Sequence, residues 1–211
     1  MVNNPKAATR KGLKKKEKIG SAAAKVFNKK GYLETNIDDI AAAKKMSKGG
    51  IYHYFSSKDE ILFFILDSYM DIVLKDLESR LQTMKDSTSK IEFIIKRHID
   101  LYTNYTAQAK TLLHDAHCLS PKRHKPIKVK EREYYRIVMS VLSEFFEGSG
   151  EIKRDELKAI AFLFFGMSNW TYHWYDPKGP INPEELSRIA CTVFMKGITE
   201  RRNELKEGKH H

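Results

Sequence analysis

The segment MSKGGIYHYFSSKDEIL, residues 46–62, holds the residue types best suited to chemistry in this chain. Ser47 is placed to cap a short helix that begins at Lys48. Gly49 and Gly50 follow at once, with no side chain to keep the backbone away from a phosphate or a base edge. Backbone N–H groups at a helix start bind anions directly, and Lys48 adds a mobile positive charge. Tyr52 and His53 lie one turn along, within reach of phosphates or thymine methyl groups. Ile51 and Phe55, four apart, share a face and anchor the helix to its core. Tyr54 fits either side. His53 has no carboxylate or thiol partner at useful spacing, so the pattern suits polyanion recognition and not catalysis.

The elements that must position these groups read as helices. Lys14 to Lys30 carries an apolar stripe at Ile19, Ala23, Val26 and Phe27, and Gly31 follows as a stop. Asn36, with Asp39 three residues on, marks the start of a short helix over Ile37–Ala43. A tight turn at Lys45–Ser47 then leads into the glycine-rich helix, which makes a helix-turn-helix. Ser57 and Glu60 form a capping box for the next helix, whose apolar positions run on through Leu81. A break at Asp86–Ser89 precedes helices expected over Lys90–Tyr105 and Ala107–Cys118. Pro121–Lys130, with two prolines and many bases, reads as a loop. Helices then follow over Tyr134–Phe146, Asp155–Tyr175 and Pro183–Leu205. The expectation is an all-α protein of about nine helices, with no alternating strand pattern and no internal repeat.

Charge is concentrated at one end. The chain of 211 residues has a net charge of +11, and residues 1–57 hold +9 of it. Such a block implies a polyanion partner, although the lysines of residues 1–18 fit a solvated tail equally well. The hydrophobic fraction of 41% is that of a globular protein. The longest apolar run, Ala159–Met167, is far short of a membrane span. The N-terminus is lysine-rich with no apolar leader, and Cys118 and Cys191 match no zinc, redox or disulfide pattern, so a reduced, cytoplasmic protein is expected. The final His-His pair reads as the remnant of a purification tag. In HDAHC, His114 and His117 share a helix face. Zinc needs three or four ligands and no second cluster offers them, so neither a metal, nor a cofactor, nor an enzyme is expected.

The stretch GYLETNIDDIAAAKKMSKGGIYHYFSSKDEIL closely resembles the DNA-binding domain of the TetR family of bacterial repressors. The matching residues are Gly31-Tyr32, Thr35, Ile37, Ile40-Ala41, Ser47-Lys48-Gly49, Tyr52, Tyr54-Phe55, Lys58 and Glu60-Ile61-Leu62. The resemblance implies a homodimer of TetR-like fold on a palindromic operator. A three-helix DNA-binding head spans residues 1–58, and a ligand-binding and dimerisation domain spans residues 59–211. It implies DNA contacts from Thr35, Asn36, Ser47, Lys48, Gly49, Gly50, Tyr52, His53, Tyr54 and Lys58. Position 50 often carries a side chain in the family, and glycine here removes one base contact. The last two helices are implied to pair with their mates, and the stripe Leu186, Ile189, Val193, Phe194, Ile198 is the expected interface.

The apolar residues Phe93, Ile94, Leu101, Tyr102, Tyr105, Leu112, Leu113, Phe162, Phe165, Met167, Trp170 and Trp174 suit either a pocket or plain core. The segment GMSNWTYHWYDPKGPINPEELSRIACTVFMKGI resembles TetR regulators that respond to acyl-coenzyme A thioesters, of the FadR and PaaR type. That resemblance implies an acyl-CoA inducer, a long-chain or aromatic thioester of lipid and fatty-acid metabolism. Its phosphates need cations, and Lys122, Arg123, His124, Lys125, Lys128 and Lys130 either supply them or simply face solvent. The competing expectation is a TetR-type regulator of multidrug efflux that responds to hydrophobic compounds.

Overall fold

The computed structural model describes residues 10–208. Lys6 and the His210–His211 pair lie outside the described residues. Among those residues every regular element is helical: α1 (Arg10–Lys30), α2 (Ile37–Lys44), α3 (Lys48–Tyr52), α4 (Lys58–Leu74), α5 (Leu77–Gln82), α6 (Ser87–Asn104), α7 (Thr106–Asp115), a 3-10 helix (Ala116–Cys118), α8 (Pro121–Phe146), α9 (Arg154–Trp174) and α10 (Pro183–Lys206). The chain forms two compact units. One holds the residues through Met70 together with Ala107–Lys128; the other holds Asp71–Thr106 and the residues from Val129 on. Charge and motif draw a division after residue 58, whereas packing brings a later segment back to join the head.

In the first unit the caps fix where each short helix starts. Asn36 Oδ1 accepts from the Asp39 N–H and Asp39 Oδ2 accepts from the Asn36 N–H, both at 2.9 Å. Those two bonds satisfy donors that a helix start leaves open. Ser47 Oγ accepts from the Gly50 N–H at 3.0 Å. Ser57 Oγ accepts from the Glu60 N–H at 3.1 Å, while the Glu60 carboxylate reaches one residue further back than a standard box, to the Ser56 N–H at 2.6 Å. Gly31 stops α1 at φ +87°, a conformation that costs glycine little, with its N–H on the Phe27 carbonyl at 2.7 Å. The buried core joins Ile19, Ala23 and Phe27 of α1 to Ile40 of α2, to Ile51 and Phe55, and to Ile61, Leu62 and Ile65 of α4; Ala116, Leu119 and Ile127 complete it. Short helices are unstable alone, and this shared core is what holds α2 and α3.

Residues 107–128 enter that unit through polar as well as apolar contacts. Asn28 Nδ2 donates to the Ala107 carbonyl at 2.8 Å and to Thr111 Oγ1 at 3.0 Å. Asp59 receives the Ser120 N–H at 3.1 Å and Arg123 Nη1 at 3.0 Å. The stretch expected as a loop over 121–130 is the first part of α8. Pro121 occupies the opening position, where a missing N–H costs nothing, and Pro126 forgoes one helical bond. The fully buried Ile127 side chain helps to hold the turn in place.

In the second unit α6 packs on α9 and α10. The long helix expected through Leu81 breaks at Asp76, which adopts φ +54°. The Arg97 guanidinium accounts for the break. Its Nη2 donates to the carbonyls of Ile72 (2.9 Å), Val73 (3.2 Å) and Lys75 (2.8 Å), the acceptors that a helix end leaves open. Between α8 and α9, Gly150 sits at φ +99°, and a Cβ there would lie 2.8 Å from the Leu205 carbonyl oxygen. Glycine is therefore required at that turn on two counts.

Candidate functional site

The first unit presents the start of α3 to solvent. Ser47, Lys48, Gly49, Tyr52 and His53 are all exposed, Tyr52 at 48%. Ile51 and Phe55 point inward and are buried. Tyr54 is half-buried against the same core, and its ring meets His53 edge-on at 4.9 Å between centroids. A Cβ at Gly49 would meet nothing within 4 Å, so this backbone is open to an approaching surface. Gly50 has a second reason to be glycine: a Cβ there would lie 3.2 Å from both Ser47 Oγ and Met46 Cε, crowding the cap. Lys48 Nζ rests on Asp38 at 2.8 Å, and that hydrogen bond raises its pKa. The pair is exposed, so water screens it and a phosphate can compete for the lysine.

The second unit holds a buried polar chain that links α6, α8 and α9. His98 Nδ1 lies 2.8 Å from the Tyr134 hydroxyl, and His98 Nε2 lies 3.0 Å from Asn169 Oδ1. The Tyr102 hydroxyl donates to the same Asn169 oxygen at 2.7 Å. One proton arrangement satisfies all of these: Tyr134 O–H donates to Nδ1, and Nε2–H donates to Asn169. The imidazole is then neutral, in keeping with a pKa pushed down by burial to about 4. Aromatic rings close around it, with Phe164 edge-on at 5.3 Å and Phe165 at 6.1 Å. Tyr102 also lines a small, partly open pocket with Ile99, Thr103, Thr106, Thr171, Tyr172, Tyr175, Pro177 and Leu186.

Residues 84–198 match the family model described as the tetracyclin repressor-like C-terminal domain, and residues 19–64 match that of bacterial regulatory proteins of the tetR family. The chain belongs to the TetR family. It is 27% identical over 190 residues to the HTH-type transcriptional repressor KstR2 of Rhodococcus jostii, across 86% of this chain and 89% of that protein. Among solved structures it is similar to a TetR-family transcriptional regulator from Bordetella parapertussis, with 29% identity, a TM-score of 0.80 and coverage of 88% and 96% of the two chains. It is also similar to AibR in complex with isovaleryl coenzyme A and operator DNA, with 26% identity, a TM-score of 0.74 and coverage of 84% and 96%. As a TetR-family member the chain is a DNA-binding transcriptional regulator with a helix-turn-helix head.

Placed on this TetR fold, the residues expected at the DNA divide in two. Asn36, Ser47, Lys48, Gly49, Gly50, Tyr52, His53 and Tyr54 cluster around α3 and the start of α2. Thr35 and Lys58 turn inward. Thr35 is 2% exposed and its hydroxyl donates to the Gly31 carbonyl at 2.7 Å. Lys58 Nζ donates to the carbonyls of Tyr32 (2.7 Å), Leu33 (3.1 Å) and Thr35 (2.6 Å) and lies 4.4 Å above the Tyr32 ring. All three ammonium hydrogens are engaged, so Lys58 fastens the turn between α1 and α2 and has none to offer a phosphate.

The expected effector residues divide more sharply. Leu101 is buried and Phe165 half-buried in the second unit, the latter beside the His98 rings. Tyr105 is half-buried at the end of α6. Phe93 is half-buried beneath the Arg80 guanidinium and edges a surface groove along α6 and α10. Leu112 and Arg123 belong to the first unit, the one against its core and the other on Asp59. Phe162, Trp170 and Trp174 are 64%, 61% and 56% exposed and line no interior. They occupy the outward face of α9 with Leu163. The expected interface stripe on α10 splits likewise: Leu186, Phe194 and Ile198 are buried within the protomer, and only Ile189 and Val193 are exposed. Of the six basic residues of 122–130, Arg123 is held by Asp59 and Lys130 by Asp71 at 2.6 Å. The sequence reading missed His98, Tyr134 and Asn169. The one available signal was a histidine and an asparagine at inward positions of apolar helices.

Proposed function

We propose that this regulator binds a palindromic operator as a homodimer and is released from it by an acyl-coenzyme A. The observation that carries the DNA part is the open backbone at Gly49 beside exposed Lys48, Tyr52 and His53 on a unit rich in lysine. Pairing is supported by the outward apolar faces of α9 and α10, where Phe162, Leu163, Trp170 and Val193 are each more than 60% exposed. A monomer has no use for such surface. A two-fold pair sets its recognition helices about 34–36 Å apart, the repeat of successive major grooves.

Support for the effector class comes from two directions. AibR, a relative at 26% identity, has been solved with isovaleryl coenzyme A and operator DNA. The second unit has an interior of apolar and neutral polar groups: among the described residues no aspartate or glutamate is buried. A cationic drug would find no counter-charge there, which disfavours the efflux reading. Lys122, Lys125 and Lys128 are exposed on the part of α8 that belongs to the first unit. Location in the cytoplasm follows from the same reading, since operator and acyl-CoA are both there.

Titration of an operator complex with acyl-CoA, free CoA and free acid, followed by fluorescence anisotropy, tests this. A coupling of about 1–3 kcal/mol would lower operator affinity roughly 5- to 150-fold. The acyl-CoA should act at micromolar levels and free CoA should not. If no acyl-CoA changes the bound fraction, the effector is of another class.

A further inference from the structure

We infer that the outward face of α1 is a second DNA contact of the first unit, a lysine-lined groove that receives backbone phosphates beside the α3 site. This rests on the reading of that unit as the operator-binding head and adds a surface to it. At 100° per residue, Lys11, Lys14, Lys15, Lys18, Lys25 and Lys29 fall within about 100° of one another on α1, opposite the buried Ala23 and Phe27. The stripe from Lys11 to Lys29 is about 27 Å long. All but the half-buried Lys15 are exposed. Among the described residues none of these side chains makes an ion pair or a hydrogen bond. A groove of about 670 Å³ runs along the same face between α1 and α2. Lys18, Lys25, Lys29 and Lys30 line it, with the short Ser21 and Ala22 between them and Ala43 on the α2 side. Short residues there let a strand of DNA come close while the lysines on either side reach its phosphates.

The groove is continuous with the α3 site. Ala43 lies one turn of α2 from Asp39, and Asp39 one turn from the cap residue Asn36. Asp39 holds Lys30 at 2.7 Å, and the adjacent Asp38 holds Lys48 at 2.8 Å. Neighbouring side chains of α2 thus meet the end of α1 and the start of α3. The lysines do nothing for the helix that bears them. Like charges three or four apart, as in Lys11 with Lys14, Lys14 with Lys18 and Lys25 with Lys29, destabilise a helix. The first turn has no acid to favour that end of the dipole. Glu17 is the one acid in α1 and lies about 100° round from Lys18, off the stripe. A polyanion relieves that repulsion. An anionic membrane would want large apolar side chains among the cations, and the arc holds only Ala22 besides its lysines. The dense phosphate array of DNA is the better match.

The test compares the full-length protein with three variants. One is Lys18→Gln, Lys25→Gln and Lys29→Gln together; the second changes the same positions to arginine. The third is a charge-matched control in the second unit, Lys75→Gln, Lys85→Gln and Lys178→Gln together. The probes are a duplex selected from a random pool by the wild type, an unrelated duplex of equal length, and phosphatidylglycerol vesicles. Three phosphate contacts at about 0.9 each should steepen the salt slope by about 2.7. Between 50 and 200 mM salt the wild type should therefore lose about 40-fold more affinity than the glutamine variant, on both duplexes. The arginine variant and the control should follow the wild type. An unchanged slope for the glutamine variant, or an equal flattening by the control, would overturn the surface. Loss of vesicle binding by the glutamine variant with its DNA slope unchanged would make the face a membrane contact and overturn it too. A wild type that binds the selected duplex no tighter than the unrelated one would overturn the operator reading, while the slope difference on both duplexes would leave the α1 surface standing.

Discussion

The two units position their candidate sites in different ways. In the first, the groups that cap the short helices act within a few residues of themselves: Asn36 with Asp39, Ser47 with Gly50, Ser57 with Glu60. Each fixes a helix end, and the fixed ends leave a short stretch of backbone and two rings facing out. In the second, His98 reaches partners 36 and 71 residues away in the chain, and nothing local announces the meeting. A surface that reads one regular polymer can be written as a contiguous motif. An interior that fits one small molecule is assembled from separate helices, and its residues need not be neighbours in sequence.

The largest expected effect tests inside against outside on α10. Phe194 is 9% exposed and Val193 is 61% exposed. Phe194→Glu should unfold the second unit, with a loss above about 4 kcal/mol, because it places a charge among apolar neighbours. Val193→Glu should leave the protomer folded, shift it to monomer and abolish operator binding. Circular dichroism melts with light scattering separate the two outcomes; a dimeric Val193→Glu protein would remove α10 from the interface.

A smaller effect should follow pH. The His98 pKa falls from 6.5 to about 4 on folding, through burial. The unfolded chain therefore binds the extra proton first. The stability tied to the neutral imidazole is complete above pH 6.5, is lost as pH falls through that window toward 4, and amounts to about 3 kcal/mol. Urea melts of the wild type and of His98→Gln should diverge at neutral pH and converge in acid. Parallel curves across this range would mean that His98 is accessible to protons in the folded state.

The smallest pair contrasts two lysines of the head. Lys58→Met orphans three carbonyls and should cost about 1–3 kcal/mol of stability, with the salt dependence of DNA binding unchanged. Lys48→Met should leave the melting temperature in place and flatten the salt slope by about one. If Lys58→Met also flattens the slope, its ammonium leaves the carbonyls of Tyr32 and Thr35 when DNA binds.

This contrast also explains what was legible in the sequence. Asn36, Ser47 and Gly31 declare their roles because capping and stopping a helix depend on residues within one turn. Asp76 does not, since the break there depends on Arg97 arriving from α6 to take the carbonyls of α4. The return of residues 107–128 to the head was hidden for the same reason, as Asn28 and Thr111 are 83 residues apart. On α10 the apolar stripe was visible but its division was not. Leu186, Ala190, Phe194 and Ile198 repeat every four residues and turn inward, while Ile189 and Val193 follow the adjacent row outward. Composition cannot distinguish a face that meets its own core from one that is left outward. For that reason Phe162, Trp170 and Trp174 read as interior.

The outward face of α9 also gives the protein an optical label. Trp170 and Trp174 are the chain's two tryptophans, and both are exposed there. Tryptophan emission, excited beyond the tyrosine band, is therefore silent about the head and reports on this face alone. Dilution of a pair closed over α9 would move the emission to longer wavelength as the indoles meet water. Iodide quenching would rise with it, so association can be read from the unmodified protein.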